Sequence, residues 1–237
     1  IKSLSENENL QPRKNADEHG DSLYFDSENR FLDLRNKNEC AVMKIRSALS
    51  ESFSESLGGL GFTEIFTPKT TAGAVSDFSH VFTADYFGAD VILSNDDAMY
   101  MHAASAALGR VFEKTPVFKA HLHNSFRHLN EYESFKFHLS YVKNAEELMS
   151  AELYVIKKLL KHISDKCADE LGSLDVCIPN MDSVPAVTYC EAMDMLEKSN
   201  DGEWPNPTDE LRLCEICKSD FIFITGIPDM KCPIYIK

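Results

Sequence analysis

The chain has 237 residues, of which 43% are hydrophobic and 26% charged, and its formal net charge is −14. This hydrophobic fraction supports one large core, or one domain with a piece of another. The acidic excess repels phosphate backbones, so it excludes a broad nucleic-acid surface and argues against tRNA binding by this chain. No apolar run approaches the length of a membrane span, and the seven scattered cysteines fit reduced intracellular thiols. These features predict a cytoplasmic protein without membrane contact.

The predicted elements follow from helical periodicity, from β-branched alternation, and from the glycines and prolines that end each run. Residues 1–29 lack apolar periodicity and are typical of a linker or extended arm. In chain order the predicted elements are a helix over 40–57, a strand over 61–69, two strands within 80–94, a buried helix within 96–114, a hairpin over 117–142, a long amphipathic helix over 144–171, short helices over 188–199 and 208–219, and an apolar strand over 220–228. Helices and strands mix without strict β-α-β alternation, which predicts an α+β fold with an antiparallel sheet flanked by helices.

Several stretches occur in a recognisable order and spacing. They are RFLDLRN (30–36), GFTEIFTPK (61–69), VFTADYF (81–87), RVFEKTPVFKA (110–120) and RHLNEYESF (127–135). With them the sequence resembles the catalytic domain of class II aminoacyl-tRNA synthetases, and most of all the aspartyl enzyme of eukaryotic and archaeal type. The likeness covers nearly the whole chain.

The resemblance implies a domain organisation and an oligomeric state. Residues 1–29 correspond to the linker that follows an OB-type domain in the family. Residues 30–237 correspond to the catalytic domain, incomplete at its C-terminal end. Residues 40–68 correspond to the motif through which the family dimerises. This implies a homodimer or pseudo-symmetric dimer, which could be part of a larger protein assembly. The plain alternative for 40–68 is an ordinary amphipathic helix and strand.

The hairpin around residue 120 is where the resemblance places ATP. The family clamps the α-phosphate with an Arg in an Arg-x-Glu pattern, because phosphoryl chemistry needs positive groups where negative charge develops. Lys119 and His121 occupy those two positions here, so the bidentate grip of Arg and the orienting carboxylate are both lost. The only cofactors that the resemblance implies are ATP and Mg²⁺, and the alternative is a solvated basic turn. The remaining candidate ATP contacts are Lys119, Arg127, His128, Glu131 and Tyr132.

The amino-acid pocket implied by the resemblance departs further from the family. Its Ser-Glu-Gly-Gly loop corresponds to 75–78, where both glycines are gone. The Lys that would pair with an aspartate side chain becomes Met101, and Lys136 replaces an acid that would meet the substrate's amino group. An aspartate carboxylate buried without a cationic partner is strongly unfavourable, so specific aspartate binding is not expected. The residues at the former pocket are Ser76, Asp77, Asn95, Met101, Lys136 and His138.

The third motif of the family, a Gly-rich strand and helix with an Arg on ATP, has no match in the chain. The resemblance with these departures predicts an aspartyl-tRNA synthetase-like paralogue that is catalytically degenerate. It would act as a dimerising scaffold or regulatory subunit, with Lys119 and His121 as vestiges of the catalytic pair. The alternatives are a diverged ligase that activates an amino acid with ATP, and a nucleotide-sensing module without turnover.

Three other sequence patterns can be interpreted either as functional sites or as ordinary structural features. Histidines crowd the hairpin and have the chemistry to hold zinc, but they also fit space vacated by carboxylates. Cys214 and Cys217 have zinc-knuckle spacing, yet their helical pattern places both thiols on one buried stripe. Residues 157–162 are basic, and a solvated helix face is the preferred interpretation. We therefore predict no metal site. The hairpin histidines are His121, His123, His128 and His138.

Overall fold

The computed structural model describes residues 34–73, 80–122, 128–199, 202 and 204–228. They divide into two compact units, one ending at Val176 and the other starting at Cys177. The predicted linker over 1–29 lies outside the described residues. So do four residues of the predicted site and hairpin, namely Ser76, Asp77, His123 and Arg127.

The first unit combines two small sheets with four helices. Its long helices pack on one side of the central hairpin. In chain order its elements are α1 (Lys37–Gly59), β1 (Thr63–Glu64), β2 (Thr70–Thr71), β3 (Thr83–Tyr86), β4 (Ala89–Leu93), α2 (Ala98–Leu108), β5 (Arg110–Phe118), β6 (Glu131–Leu139), α3 (Ala145–Lys166) and α4 (Ala168–Leu174).

Both long helices begin where the sequence offers an asparagine cap. The Asn36 side chain accepts a hydrogen bond from Asn38 N, and that of Asn144 accepts one from Glu147 N, as the capping rule predicts for α3. α1 starts three residues before its predicted bound and ends at Gly59. Each cap satisfies a backbone donor that would otherwise lack a partner at the helix start.

The β5–β6 hairpin is the scaffold of the first sheet. The two strands pair antiparallel from Arg110 opposite Leu139 to Phe118 opposite Glu131, and β1 pairs parallel with β5. The second sheet has the order β2-β4-β3 and is antiparallel. Phe118 N donates to Ser94 O at 3.1 Å, which brings the segment that follows β4 against the hairpin. The predicted α+β fold is confirmed, with one parallel pair added to the antiparallel sheet.

The core of the first unit forms where α1 and α3 cover the hairpin. Phe53 stacks edge-on against Phe112 with ring centroids 5.8 Å apart, and Leu57 is fully buried. Aromatic pairs at this distance add to the gain from burying their apolar area. Salt bridges on the surface, such as Lys44 with Glu170, add little because solvent screens them.

Three predicted bounds in the first unit are wrong. The strand predicted over 61–69 pairs only at Thr63–Glu64, because the Thr67 backbone and side chain bond instead to the Glu113 carboxylate. α2 ends at Leu108, since Gly109 takes a positive φ of 81° and leads straight into β5. The helix predicted over 144–171 breaks at Cys167 into α3 and α4.

The second unit is a parallel two-stranded sheet with two helices. Its elements are β7 (Ala186–Thr188), α5 (Tyr189–Met195), α6 (Pro207–Cys217) and β8 (Phe223–Thr225). Sequence analysis missed β7, which is only three residues long, and it overextended the flanking strand and helices. Tyr189, Met193 and Leu213 form the buried centre of this unit. Among the described residues, no helix combines the length and apolarity that a bilayer crossing requires.

Candidate active site

The predicted ATP contacts gather where β5 runs into its loop. Lys119 N donates to Asn130 O at 2.8 Å. The Asn130 side-chain amide donates back to the carbonyl of Lys119 at 2.9 Å and to that of His121 at 3.1 Å. These three bonds fix the backbone of the two positions where the family carries its Arg and Glu.

The other predicted ATP contacts flank this point. Glu131 and Tyr132 begin β6 directly opposite Phe118 and Val117. Glu131 and His128 are exposed, and Tyr132 is half-buried. The structure therefore brings Glu131 and Tyr132 to the same end of the hairpin as Lys119, while Arg127 lies outside the described residues.

Lys136 lies further along β6 and is neutralised by two aspartates. Its Nζ is 2.5 Å from Asp97 Oδ1 and 3.4 Å from Asp96 Oδ1. The Asp97 side chain is 1% exposed and that of Lys136 is 25% exposed. Asp97 is the N-cap residue of α2, yet its carboxylate makes no capping bond. Asp96 accepts from Ala98 N instead, which leaves Asp97 for the lysine.

A second cation continues this arrangement on the other side of Asp97. Lys69 Nζ lies 3.8 Å from Asp97 Oδ2 and 3.1 Å from Glu113 Oε1. Glu113 is 2% exposed and stands opposite Lys136 in the hairpin register. Its carboxylate also accepts from Thr67 N at 2.7 Å and from Thr67 Oγ1 at 2.8 Å. We call Lys136, Asp97, Lys69 and Glu113 the charge row, since cation and anion alternate along it.

Burial and pairing act in opposite directions on the pKa values at this site. Burial alone would raise the pKa of Asp97, but the hydrogen bond and charge of Lys136 hold it below its ordinary value. Burial alone would likewise lower the pKa of Lys136, but Asp97 holds it above its ordinary value. Both groups are therefore charged at neutral pH, and their opposite charges neutralise each other.

The other described residues assigned to the former pocket differ in burial and surroundings. Met101 is fully buried and Asn95 is 4% exposed, so neither lines an open cavity. His138 is half-buried beside His102, with ring centroids 4.7 Å apart at a T-shaped angle. Position 101, where the resemblance implies a lysine, thus holds a buried thioether.

The family model that describes class II tRNA synthetases of the D, K and N group matches residues 22–237. The chain is a member of that family. The aspartate–tRNA(Asp/Asn) ligase of Methanopyrus kandleri is 34% identical over 212 residues, covering 87% of this chain and 49% of the relative. The aspartate–tRNA(Asp) ligase of Thermoplasma acidophilum is 32% identical over 212 residues with the same two shares. The chain therefore spans about half the length of the curated synthetases it matches.

Solved structures show the same fold. Asparaginyl-tRNA synthetase from Pyrococcus horikoshii, complexed with asparaginyl-adenylate, superposes with a TM-score of 0.80 at 24% identity, over 88% of this chain and 49% of that one. The aspartyl-tRNA synthetase from Entamoeba histolytica gives a TM-score of 0.72 at 26% identity, over 87% of this chain and 41% of that one. The class II synthetase fold expected from the sequence is confirmed.

Four of the residues that shape the site are not predicted from the sequence. The sequence indicates Asp96 and Asp97 only as the start of a helix, and no motif contains Lys69 or Glu113 as site residues. One signal was available. Once Lys136 is recognised as a cation in place of an acid, the two consecutive aspartates are the nearest candidates for a compensating charge.

Two of the hairpin histidines, His121 and His138, lie far apart. His138 lies opposite Val111, whereas His121 follows the far end of β5, where its ring is 4.5 Å from that of His80. The zinc interpretation of His121 with His138 is therefore wrong, because the hairpin register separates them by nearly the length of a strand. Within the described ranges, no three His, Cys, Asp or Glu side chains converge as a metal site requires.

His138 should make this chain less stable in mild acid. Burial lowers its pKa below the ordinary 6.5, and the positive charges of His102 and Lys136 add to this against the opposing effect of Asp97 and Asp96. The unfolded chain then binds a proton at a higher pH than the folded chain. Protonation of His138 therefore leaves stability unaffected above pH 6.5, and stability decreases as the pH falls below 6.5.

The test compares His138→Gln with the unchanged chain by urea unfolding between pH 7.5 and 5.5. We expect the variant to lose less stability across this range, because its Gln cannot bind the proton. The other histidines are common to both proteins, so the difference reports His138 together with its electrostatic coupling to His102. Parallel pH profiles would show that His138 titrates alike in the folded and unfolded chain.

Proposed function

We propose that this chain is part of a catalytically degenerate aspartyl-tRNA synthetase paralogue that does not charge tRNA. It acts as a dimerising scaffold or regulatory subunit in a protein assembly. The observation that carries the proposal is the ion pair of Lys136 with the buried carboxylate of Asp97. The resemblance puts Lys136 at the position of the acid that would meet the substrate's amino group.

The charge row supports this because its cations and anions pair with one another without a ligand, although Asp97 Oδ2 accepts no hydrogen bond. An incoming ammonium group would meet the Lys136 cation, and the Asp97 carboxylate beside it already accepts a hydrogen bond from that lysine. Displacing Lys136 from Asp97 would leave a carboxylate that is 1% exposed without its closest counter-ion. A substrate would have to compensate for that loss, which is large for a buried pair.

The ATP side of the site gives weaker support in the same direction. Lys119 supplies a point charge in place of the fork of an Arg, and His121 removes an orienting carboxylate. The hairpin backbone around both residues nevertheless keeps its hydrogen bonds to Asn130. The loss is therefore one of chemistry at two side chains, in a hairpin that keeps its shape.

The alternative is a diverged ligase of the same family that activates an amino acid with ATP and Mg²⁺. It is favoured by the names of the curated relatives, which are aspartate–tRNA ligases, and by the placement of Glu131 and Tyr132 beside Lys119. In this function Lys119 would meet the α-phosphate, with Arg127, His128 and Glu131 toward the outer phosphates.

Amino-acid-dependent exchange of pyrophosphate into ATP separates the two functions. The measurement uses the full protein, Mg²⁺ and each of the twenty amino acids in turn, with the Thermoplasma acidophilum relative as the positive control. We expect no exchange above background with any amino acid, from protein shown to be folded by circular dichroism. Exchange with even one amino acid would overturn the degenerate assignment and establish the diverged ligase.

A further inference from the structure

A groove of about 340 Å³ lies between α1 and α3 and shares no residue with the charge row. Its α3 wall repeats at helical spacing, so its residues form one stripe on that helix. The volume is at the lower end of the range for small-molecule sites. The lining residues are Ser52, Glu55 and Ser56 from α1, and Tyr154, Lys158, Lys161, His162 and Asp165 from α3.

The floor of this groove is polar although it is buried. Ser52 is 3% exposed and Ser56 is 7% exposed. His162 Nε2 is buried without a hydrogen-bond partner, and the nearest carboxylate oxygen, Glu51 Oε2, is 3.6 Å away. A buried polar atom left unbonded costs about 1–3 kcal/mol, which is why such atoms usually have a partner. Because this nitrogen is buried and faces Glu51, it contributes to the polar floor but is not open to a ligand in the groove.

The rim of the groove carries charges of both signs that are not used elsewhere. The ion pairs of this face join Glu51 to His162 and Lys166. Among the described residues, four rim side chains take part in no ion pair, and they are Glu55, Lys158, Lys161 and Asp165. Lys158 Nζ stands over the Tyr154 ring, 5.6 Å from its centroid. The two lysines and two carboxylates have no net charge together. A ligand with a single charge would therefore be attracted by two of these side chains and repelled by the other two.

We propose that this groove binds a small zwitterion of the α-amino-acid class. The ligand carboxylate accepts hydrogen bonds from the ammonium groups of Lys158 and Lys161. The ligand ammonium group donates to Glu55 and Asp165. Both charges of such a ligand meet opposite charges at the rim, which neither a simple anion nor a simple cation achieves.

The test is a binding titration of the full protein, followed by NMR chemical shifts of isotope-labelled backbone amides. The probes are the twenty amino acids, with acetate and methylammonium as ligands that carry only one of the two charges. We expect at least one amino acid to shift amides of α1 and α3 and to bind about tenfold more tightly than either half-ligand.

Matched variants locate the site. Lys161→Gln and Asp165→Asn each remove one rim charge and should each weaken binding about tenfold. Lys157→Gln removes an exposed lysine of the same helix that does not line the groove, and it should leave binding unchanged. The proposal is overturned if no amino acid shifts these amides, in which case water alone fills the groove, or if acetate binds as tightly as the zwitterion. Binding that survives both rim variants would place the ligand elsewhere and would also overturn it.

Discussion

Replacing Lys136 by Met should destabilise the first unit by about 3 kcal/mol at neutral pH. The substitution keeps the length of the side chain but leaves the Asp97 carboxylate, which is 1% exposed, without its closest cation. Lys69 remains at 3.8 Å from the other Asp97 oxygen and limits the loss. The free energy of unfolding is measured by urea denaturation monitored by circular dichroism.

The dependence on pH makes this prediction specific. In the unchanged chain the pKa of Asp97 lies below its ordinary value, so the pair contributes stability at neutral pH and loses it in strong acid. Without Lys136, burial raises the pKa of Asp97, and the carboxyl group takes up a proton as the pH falls. The difference in the free energy of unfolding between the variant and the unchanged chain should therefore become smaller from pH 7 to pH 4.

Two controls separate the buried charge from a general effect of losing a lysine. Lys143→Met removes an exposed lysine just beyond β6 and should change stability by less than about 0.5 kcal/mol. Lys136→Met combined with Asp97→Asn removes both charges and should recover much of the loss, because a neutral amide is less costly to bury than a charge. A Lys136→Met loss of the size seen for Lys143→Met would show that the charge row contributes little to the fold.

The sequence was informative about the elements of the fold because their signals are local. The Asn144 cap, the Gly59 helix end and the apolar period of α3 each involve residues within a few positions of one another. The errors arise where a distant contact prevails. Residues 61–69 have the alternation of a strand, but Thr67 bonds to Glu113, 46 positions away in the chain, and pairing stops after Glu64.

The sequence indicated which residues to examine at the candidate site, but not how their charges are compensated. The family resemblance assigns Lys136 and Met101 to the former pocket; in the structure Lys136 pairs with Asp97 and Met101 is fully buried. The partner of Lys136 lies 39 positions earlier in the chain, and no local pattern links Asp97 to it. Nor does any local pattern indicate that Glu113, inside an apolar strand, is neutralised by Lys69. Such long-range compensation becomes visible only when the hairpin register and the start of α2 are known.

Replacing Phe66 by Glu should convert the proposed dimer to monomers. Three large apolar side chains within 40–68 are exposed in the single chain: Val42 at 41%, Met43 at 39% and Phe66 at 84%. Phe66 precedes Thr67, whose two hydrogen bonds to Glu113 hold the backbone in place. An exposed aromatic ring on a fixed backbone is typical of a residue that anchors an interface.

The expected effect on dimerisation is large because a symmetric interface contains the substitution twice. Burying one Phe side chain is worth about 1.5–3 kcal/mol, so two copies account for a rise in Kd of more than about a hundredfold. Analytical ultracentrifugation at micromolar concentration measures the change. Leu122→Glu is the matched control, since Leu122 is fully exposed in the hairpin loop, outside 40–68. A Phe66→Glu protein that stays dimeric, or an unchanged chain that is monomeric, would remove the interface assigned to 40–68 and with it the scaffold role proposed for that face.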